Sequence, residues 1–236
     1  PDGWTKLGFY DIRKHFSCKA YAHDQTKLLP TMEDWNFFRY ILKKYVDKDL
    51  YFDDPVPPTK GYSFDNGGPP PYYAAHSPTG KGRGLFASRD IKKGELVHDG
   101  GPGDVIFPDA MSWRQFIFNL PRDRACDMID WTWTQQMEEG GDFRIFTAMN
   151  ISILVNSGKK KFSNLSPKSS YCDKESYDFR GGETCSSKIY ALRDIKKGEE
   201  LLYDYKWYPT VWHKARLGRG ANNDQKRVTK TSKVES

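Results

Sequence analysis

Two tyrosines at the end of a strand-like segment are the first candidates for chemistry in this 236-residue chain. Tyr203 and Tyr205 close the run GEELLYDY, and alternate residues of a β-strand point to the same face. Each phenol hydroxyl can donate and accept a hydrogen bond. The alternative is an edge strand with half-buried tyrosines, because Tyr favours strands. The pair alone leaves both interpretations open.

Alternating glycines form a second candidate, a loop whose backbone can approach a ligand closely. Residues 80–87 read GKGRGLFA. A dinucleotide-binding fingerprint needs a strand before the glycines and a helix after them, whereas a proline-rich stretch precedes this run. No GKS or GKT follows, which excludes a phosphate-binding loop. The pattern predicts a glycine loop that leads into β-structure.

The four cysteines do not predict a metal site. None forms a CxxC pair, and no histidine lies at zinc-ligand spacing from two of them. We expect free buried thiols, with pairing of Cys172 and Cys185 in an oxidising compartment as the alternative. The other two are Cys18 and Cys126.

One short sequence motif, here called the RDIKKGE device, occurs twice and helps to position these residues. Residues 87–95 read ASRDIKKGE and residues 191–199 read ALRDIKKGE. In each copy a strand is predicted to end at Arg-Asp-Ile, and Lys-Lys-Gly forms a turn whose glycine takes a positive φ. A second strand then follows. No third copy exists, so the chain is not a repeat array.

Composition favours one sizeable domain that is poor in long helices. Hydrophobic residues make up 37% and aromatic residues 15%, while 20 Gly and 14 Pro indicate many turns. The net charge of +6 is compatible with an acidic partner but does not diagnose one. No apolar run is long enough to span a membrane, so we expect no membrane partner. A nuclear or cytoplasmic location is favoured.

The chain divides into three predicted parts: an N-terminal extension at 1–75, a main domain at 76–208 and a basic tail at 209–236. A capping-box pattern at Thr31 and an aromatic stripe predict a helix over 32–47. The Pro- and Gly-rich stretch 53–71 is a linker, so the extension is either a separate cap or packs back on the domain.

Within the main domain, residues 113–120 suit a short helix and 126–133 alternate like a strand. Residues 138–142 resemble a hairpin turn. The polar stretch 159–183 is expected to be a surface loop or loose hairpin. From about Lys214 the chain is expected to be disordered, and contact of this tail with nucleic acid is a weak possibility.

Three segments in this order resemble the SET-domain protein lysine methyltransferases. GKGRGLFASRDIKKGE is similar to the family's opening motif GxGRGxFAxxDIxxGE, and GEELLYDY to its closing motif GEELxYDY. The middle motif GNxxRFINHSC is matched less closely, with Asn150 and Asn156 on family asparagines. Asn164 matches a later asparagine of the family, displaced by an insertion. The resemblance covers roughly 76–208.

The resemblance implies an α+β fold that is mainly β with short helices, built from small twisted sheets with a knot-like crossing. It also implies transfer of a methyl group from S-adenosyl-L-methionine to a protein lysine, of a histone or of another protein. Tyr205 matches the catalytic tyrosine, and Tyr203 matches the position that limits how many methyl groups are added. The implied cofactor-binding residues are Lys81, Gly82, Arg83, Asn156, Ser157, Tyr205 and Trp207.

Two departures from the family pattern bear on activity and on the target. After GELV the family continues with an acidic residue and a tyrosine that lines the lysine channel, whereas this chain has Asp99 and Gly100. Trp131 or Trp133 is a candidate replacement for that tyrosine. The zinc-binding cysteines that close the channel in many histone-directed members are absent, which leaves a non-histone protein open as the target. Gly100 and the weak middle motif favour the alternative of a SET-like binding module without catalysis; a Tyr205→Phe variant separates the two.

Overall fold

A computed structural model describes residues 3–22, 27–50, 52–53, 70–99, 104–136, 141–167, 188–207 and 211–218. The helices are α1 (Phe9–His15), α2 (Cys18–Ala22), α3 (Met32–Tyr45), α4 (Ala110–Phe118), α5 (Arg122–Asp130) and α6 (Lys159–Phe162). The strands are β1 (Phe52–Asp53), β2 (Tyr72–His76), β3 (Arg83–Ala87), β4 (Leu96–Asp99), β5 (Asp104–Phe107), β6 (Thr132–Gln136), β7 (Phe143–Ala148), β8 (Asn156–Ser157), β9 (Leu165–Pro167), β10 (Lys188–Ala191) and β11 (Glu200–Tyr203). Single 3-10 turns include Ile151–Leu154 and Tyr205–Trp207.

The strands form two sheets, which confirms the predicted α+β class. One sheet has the order β1-β5-β7-β6 and is antiparallel throughout. The other has the order β2-β3-β11-β9-β10-β4, with β8 paired to β11 outside this path. Strand β11 is antiparallel to β3 and parallel to β8 and β9. The segment with Asn156 therefore lies directly beside the closing segment.

The two copies of the RDIKKGE device pack against each other around a local two-fold axis. Ile91 and Ile195 exchange both backbone hydrogen bonds at 2.9 Å. The Asp90 carboxylate accepts from the Lys197 N–H and the Asp194 carboxylate from the Lys93 N–H, both at 2.9 Å. Each copy thus caps the turn of the other.

The first strand of each copy ends earlier than the predicted Arg-Asp-Ile, since β3 ends at Ala87 and β10 at Ala191. Gly94 and Gly198 take φ values of 80° and 83°, as the sequence predicts for the turns. The strands on either side of one turn do not pair with each other, however. Strand β3 pairs with β11 and β4 pairs with β10, so each copy pairs crosswise with the other.

The N-terminal helices pack back on the sheets. Thr31 and Asp34 form the predicted capping box, and α3 buries Trp35 and Phe38. Both rings contact Trp131, at 5.4 and 6.3 Å between centroids. Because these residues share one apolar core with the sheet residues, the extension is not a separate cap. The proposed boundary at residue 75 stays a prediction.

A disulfide joins the extension to α5, which corrects the expectation of free thiols. Cys18 and Cys126 are bonded, and both are fully buried. The two cysteines are 108 positions apart, so no local sequence pattern predicts their pairing. Cys172 and Cys185 lie outside the described residues.

Three further sequence predictions are wrong in part. Residues 122–130 form helix α5 instead of a strand beginning at 126, and β6 begins only at Thr132. The stretch 159–183 begins with α6 and β9, although 168–187 lie outside the described residues. Beyond Lys214 the chain continues into the core with Ala215 and Leu217. Much of the predicted linker and hairpin turn is also outside the described part of the chain.

The fully buried Asn164 ties the closing strand to its neighbours. Its amide nitrogen donates to the Glu200 carbonyl at 2.9 Å, and its amide oxygen accepts from the Leu202 N–H at 2.7 Å. Its backbone carbonyl accepts from the Leu192 N–H at 2.8 Å. The Asn164 side chain thus makes hydrogen bonds to the β11 backbone at the point where β8 and β9 both lie beside that strand.

We expect Asn164→Ala to lower the free energy of unfolding by about 2–4 kcal/mol, because it leaves two buried backbone groups unpaired. Urea unfolding measures this change. Asn36→Ala on the exposed side of α3 is the matched control and should change it by less than about 0.5 kcal/mol. Equal effects of the two substitutions would contradict a structural role for Asn164.

Candidate active site

One cavity of about 560 Å³ collects most of the predicted site residues. This volume is within the range of small-molecule sites, roughly 300–1,000 Å³. The predicted residues that line it are Lys81, Gly82, Arg83, Asn156 and Tyr205. Ser157 is not in the lining, and the side chain of Trp207 lies outside the described residues.

The glycine loop bends sharply at the cavity edge. Gly82 has a φ of +78°, and no atom lies within 4 Å of the position that a Cβ would take. Its carbonyl accepts from the Ser77 N–H at 2.6 Å, which fixes the turn. The Lys81 ammonium donates to the Ser157 carbonyl at 3.4 Å. The loop therefore presents open backbone to the cavity, and Ser157 contributes through its carbonyl.

The Arg83 side chain is held in a buried ion-pair cluster. Its guanidinium donates to both carboxylate oxygens of Asp127, at 2.7 and 3.2 Å, and Lys27 reaches the same carboxylate at 3.2 Å. The guanidinium also lies 5.1 Å from the Trp131 ring centre. These contacts hold the guanidinium within the protein, and the role of Arg83 in cofactor binding stays a prediction.

Asn156 links the glycine loop to the closing strand. Its amide nitrogen donates to the Arg83 carbonyl and to the Glu200 carboxylate, both at 2.9 Å. A Cβ on Gly84 would lie 2.9 Å from that same nitrogen and from a Glu200 carboxylate oxygen, so a larger residue there would displace one of these two side chains. The Ser77 hydroxyl donates to the other Glu200 oxygen at 3.1 Å. This network fixes the cavity wall at Asn156.

Tyr205 directs its hydroxyl toward the Val155 carbonyl, to which it donates at 2.7 Å. The residue as a whole is 51% exposed, but the hydroxyl is the end held against the protein. Burial of that group, with the negative charge of Asp130, raises the pKa of Tyr205 to about 12. The phenol consequently stays protonated at neutral pH.

The model of the SET domain family matches residues 82–206, more than half of the chain. The chain belongs to the SET domain family. This places the opening glycine loop, Asn156 and the closing tyrosines within one family segment. No curated protein matches the chain.

Three solved structures are similar to this chain at low sequence identity. A Plasmodium falciparum candidate histone methyltransferase is 19% identical with a TM-score of 0.37, over 58% of this chain and 93% of that one. Chaetomium thermophilum Polycomb Repressive Complex 2 bound to GSK126 gives 22% and 0.41, over 70% of this chain and 18% of the other. A ctPRC2 structure bound to S-adenosylmethionine gives 20% and 0.41, over 70% and 17%. This SET-domain chain thus spans less than a fifth of those PRC2 chains.

Tyr203 does not share a face with Tyr205, contrary to the strand-spacing prediction. Strand β11 ends at Tyr203, and a 3-10 turn begins at Tyr205, so the two-residue period no longer applies. Tyr203 is fully buried and does not line the cavity. Its assignment as the residue that limits methylation remains a prediction.

Both tryptophans predicted as replacements for the channel tyrosine line the cavity of this SET domain. Trp131 follows α5 directly, and Trp133 stacks on Phe146 at 5.4 Å between ring centres. Gly100 itself lies outside the described residues. Trp131 at the end of α5 and Trp133 in β6 thus place aromatic rings in the cavity wall, and their role in place of the family tyrosine stays a prediction.

A second polar group lies in the same cavity and was not predicted from the sequence. Tyr72 and His98 line it, and their hydroxyl and Nδ1 atoms are 3.1 Å apart. Asp104 also lines it and accepts from the Asn150 amide at 3.4 Å. Burial lowers the pKa of His98 to about 4 and raises that of Asp104 to about 7. These residues belong to no motif, and they lie on three separate strands.

Among the described residues, no group of three His, Cys, Asp or Glu side chains could hold a metal ion. In the same part of the chain, no helix has the length and apolar character needed to cross a membrane.

Proposed function

We propose that this chain is an S-adenosyl-L-methionine-dependent protein-lysine N-methyltransferase. The observation that carries the proposal is that the glycine loop, Asn156 and the Tyr205 hydroxyl line one cavity. These are the residues on which the family motifs fall. Any target would be a lysine of a histone or of another protein.

The residues present fit the methyl donor. Gly82 leaves its backbone accessible, because no atom lies within 4 Å of its Cβ position. Lys81 and Asn156 add polar groups to the same cavity. When bound, S-adenosyl-L-methionine supplies a methyl group on a positively charged sulfur. We expect Gly82, Arg83 and Asn156 to hold it through backbone and amide groups.

The chain's own task is to orient a neutral amine and exclude water. Tyr205 keeps its proton because its pKa is about 12, and its oxygen can still accept a hydrogen bond from an amine. A lysine with an ordinary pKa of about 10.4 must lose a proton before it can react. The aromatic lining of Trp131, Trp133 and Phe146 favours the neutral amine by lowering the local polarity.

Calorimetric titration of S-adenosyl-L-methionine into the purified chain tests the proposal. We expect S-adenosyl-L-methionine to bind with micromolar affinity. Asn156→Ala should weaken this binding at least about tenfold, because it removes the hydrogen bonds from the Asn156 amide to the Arg83 carbonyl and to the Glu200 carboxylate. Asn119→Ala at the end of α4, which does not line the cavity, is the matched control and should bind normally.

Absence of binding up to millimolar donor would overturn the proposal. If binding occurs, incubation with labelled methyl donor and histone or other protein substrates separates an enzyme from the alternative, a SET-like binding module. Binding without incorporation of label into any lysine-containing substrate would favour the binding module. Gly100 in place of the family tyrosine is the sequence feature that keeps this alternative open.

A further inference from the structure

Three contacts fasten the N-terminal extension to helix α5 beside the cavity, and the function proposed above uses none of them. They are two ion pairs and the disulfide, on neighbouring residues of α5: Arg124 with Asp34, Asp127 with Lys27 and Cys126 with Cys18. Residues 27–31, here called the strap, lie between α2 and α3 in this extension. We propose that the Cys18–Cys126 disulfide is redox-sensitive and holds the strap, through Asp127, closed over one end of the cavity.

The strap forms part of the cavity wall. Lys27 lines the cavity, and the Arg83 guanidinium, which lines it too, donates to the Leu28 carbonyl at 3.1 Å. Leu28 itself is 84% exposed, so its backbone and not its apolar side chain contacts the domain. Polar contacts therefore hold this part of the strap. Gly82 is at the same end of the cavity, so the identity of the controlled ligand as S-adenosyl-L-methionine rests on the proposed function.

One buried carboxylate joins the strap to the glycine loop. Asp127 accepts from the Arg83 guanidinium at 2.7 and 3.2 Å and from the Lys27 ammonium at 3.2 Å, and its side chain is 2% exposed. The Lys27 ammonium also lies 3.7 Å from the centre of the Tyr21 ring in α2. Two cations thus share one negative charge, and Asp127 positions both of them.

The other charges around Asp127 have partners of their own. Asp130 is paired with Arg13, and Asp34 is paired with Arg124 at 2.6 Å. The third cation of the cavity lining, Lys81, donates to a backbone carbonyl at 3.4 Å. Within the described part of the chain, Asp127 is therefore the carboxylate that forms an ion pair with the strap.

The helices on either side of the strap have anchors that do not depend on the disulfide. In α1, the Phe9 ring stacks on Trp212 at 3.7 Å between centres, and in α3 the Trp35 ring contacts Trp131 at 5.4 Å. Helix α2 has only five residues, and among its described side chains only Cys18 is buried. Reduction is therefore expected to free α2 and the strap while α1 and α3 stay in place.

The corner before Cys18 favours opening once the disulfide is broken. Ser17 has a φ of 55°, in the left-handed region that is unfavourable for a residue other than glycine. Its N–H donates to the Lys14 carbonyl at 3.0 Å at the end of α1. Both sulfurs are fully buried, so a reductant reaches them when this corner opens locally. Relaxation of Ser17 then stabilises the open arrangement.

The redox step requires a dithiol as the reductant. One thiolate of the dithiol attacks a sulfur of the disulfide, and the second thiol then displaces the resulting mixed disulfide. Cys18 and Cys126 receive two electrons and two protons and become thiols, while the reductant forms its own disulfide. The strap is then held to α5 by ion pairs alone, so we expect Lys27 to leave Asp127 more often.

Trypsin cleavage after Lys27 measures whether the strap is open. The enzyme must bind the free lysine side chain, whereas that of Lys27 is 11% exposed and paired with Asp127. Mass spectrometry of the peptide that begins at Leu28 gives the rate in the oxidised chain and after treatment with dithiothreitol. We expect reduction to raise this rate at least about tenfold, because cleavage follows the population of the open form. Reoxidation should restore protection.

The two other cysteines supply a matched control. Cys172→Ser/Cys185→Ser should respond to dithiothreitol as wild type does, whereas Cys18→Ser/Cys126→Ser should be cleaved rapidly with or without it. Wild type under reduction decides the question if the second variant does not fold. Cleavage after Lys43 in α3 reports unfolding of the extension as a whole. Unchanged protection of Lys27 on reduction, or an equal rise at Lys43, would overturn the inference.

A second pair of variants tests Asp127. In the oxidised chain, Asp127→Asn should raise cleavage after Lys27 although the disulfide is intact, because the amide does not neutralise the two cations. Asp123→Asn is the matched control on the exposed side of α5 and should leave the rate unchanged. Unchanged protection of Lys27 in Asp127→Asn would overturn the inference, because the disulfide would then act on the strap through some other contact.

Calorimetric titration of S-adenosyl-L-methionine in both redox states separates this inference from the proposed function. We expect reduction to weaken binding about tenfold, since fewer chains have the closed strap. Release of Lys27 on reduction without donor binding in either state would retain the redox-sensitive strap and reject the methyltransferase. Donor binding and methyl transfer that are the same in both states, with Lys27 protected throughout, would retain the enzyme and reject the strap.

Discussion

A chain with Tyr205→Phe should bind S-adenosyl-L-methionine as tightly as wild type and transfer methyl groups at least about a hundredfold more slowly. The substitution removes one hydroxyl, which donates to the Val155 carbonyl at 2.7 Å and faces the cavity. Loss of a single preorganised hydrogen-bonding group at a reacting centre typically costs about 10²–10³ in kcat. Because the ring remains, the cavity wall should keep its shape.

The measurement pairs single-turnover transfer of labelled methyl with calorimetric binding of the donor. Tyr40→Phe, which is exposed on α3 far from the cavity lining, is the control and should change neither quantity. Full activity of Tyr205→Phe would reject the assigned role of the hydroxyl. A parallel loss of donor binding would instead mean that Tyr205 holds the ligand and does not act on the reacting amine.

Local features of the fold were predictable because short segments encode them. The capping box at Thr31 and the positive φ of Gly94 and Gly198 depend on a few neighbouring residues. The crosswise pairing of the two RDIKKGE copies depends on contacts about 100 residues apart along the chain, such as Ile91 with Ile195. Repetition in the sequence therefore predicted two similar turns but not their mutual packing.

The wrong predictions concern segments whose polarity pattern fits both a helix and a strand, or contacts between residues far apart in the sequence. Residues 126–133 alternate in polarity, yet α5 buries Ala125, Cys126, Met128 and Ile129 at helical spacing after Pro121. The disulfide between Cys18 and Cys126 has no local signature. Leu217 is fully buried, and its carbonyl accepts from the Phe9 N–H at 2.8 Å, an interaction between opposite ends of the described chain.

Residues of the candidate site were predictable from the sequence only where they fall on a family motif. Gly82, Asn156 and Tyr205 were found through the opening, middle and closing motifs, and all three line the cavity. Asp104 and His98 were missed because single polar residues on separate strands carry no spacing signal. Only the fold brings them to one cavity.

Asp104 and His98 should also affect stability in opposite directions over the same range of pH. The folded pKa of Asp104 is raised from 3.8 to about 7, so the folded state binds more protons than the unfolded state in that interval. Stability from this group therefore falls as pH rises from about 4 to 7. The folded pKa of His98 is lowered from 6.5 to about 4, so stability from His98 rises with pH between about 4 and 6.5.

In wild type the two opposite changes in stability with pH largely cancel. Each single substitution removes one of them, so the pH dependence caused by the other residue becomes measurable. With Asp104→Asn, the free energy of unfolding relative to wild type should rise by about 3–4 kcal/mol between pH 4 and 7, because the cost of ionising the buried carboxyl is gone. With His98→Gln it should fall by about 3 kcal/mol relative to wild type over the same interval, because the penalty for protonating a buried imidazole at low pH is gone.

Urea unfolding at pH 4, 5.5 and 7 measures both changes in the free energy of unfolding. Only the difference between variant and wild type at each pH is used, so contributions from other titrating groups drop out. Parallel curves for all three proteins would mean that neither group is buried as the structure has it.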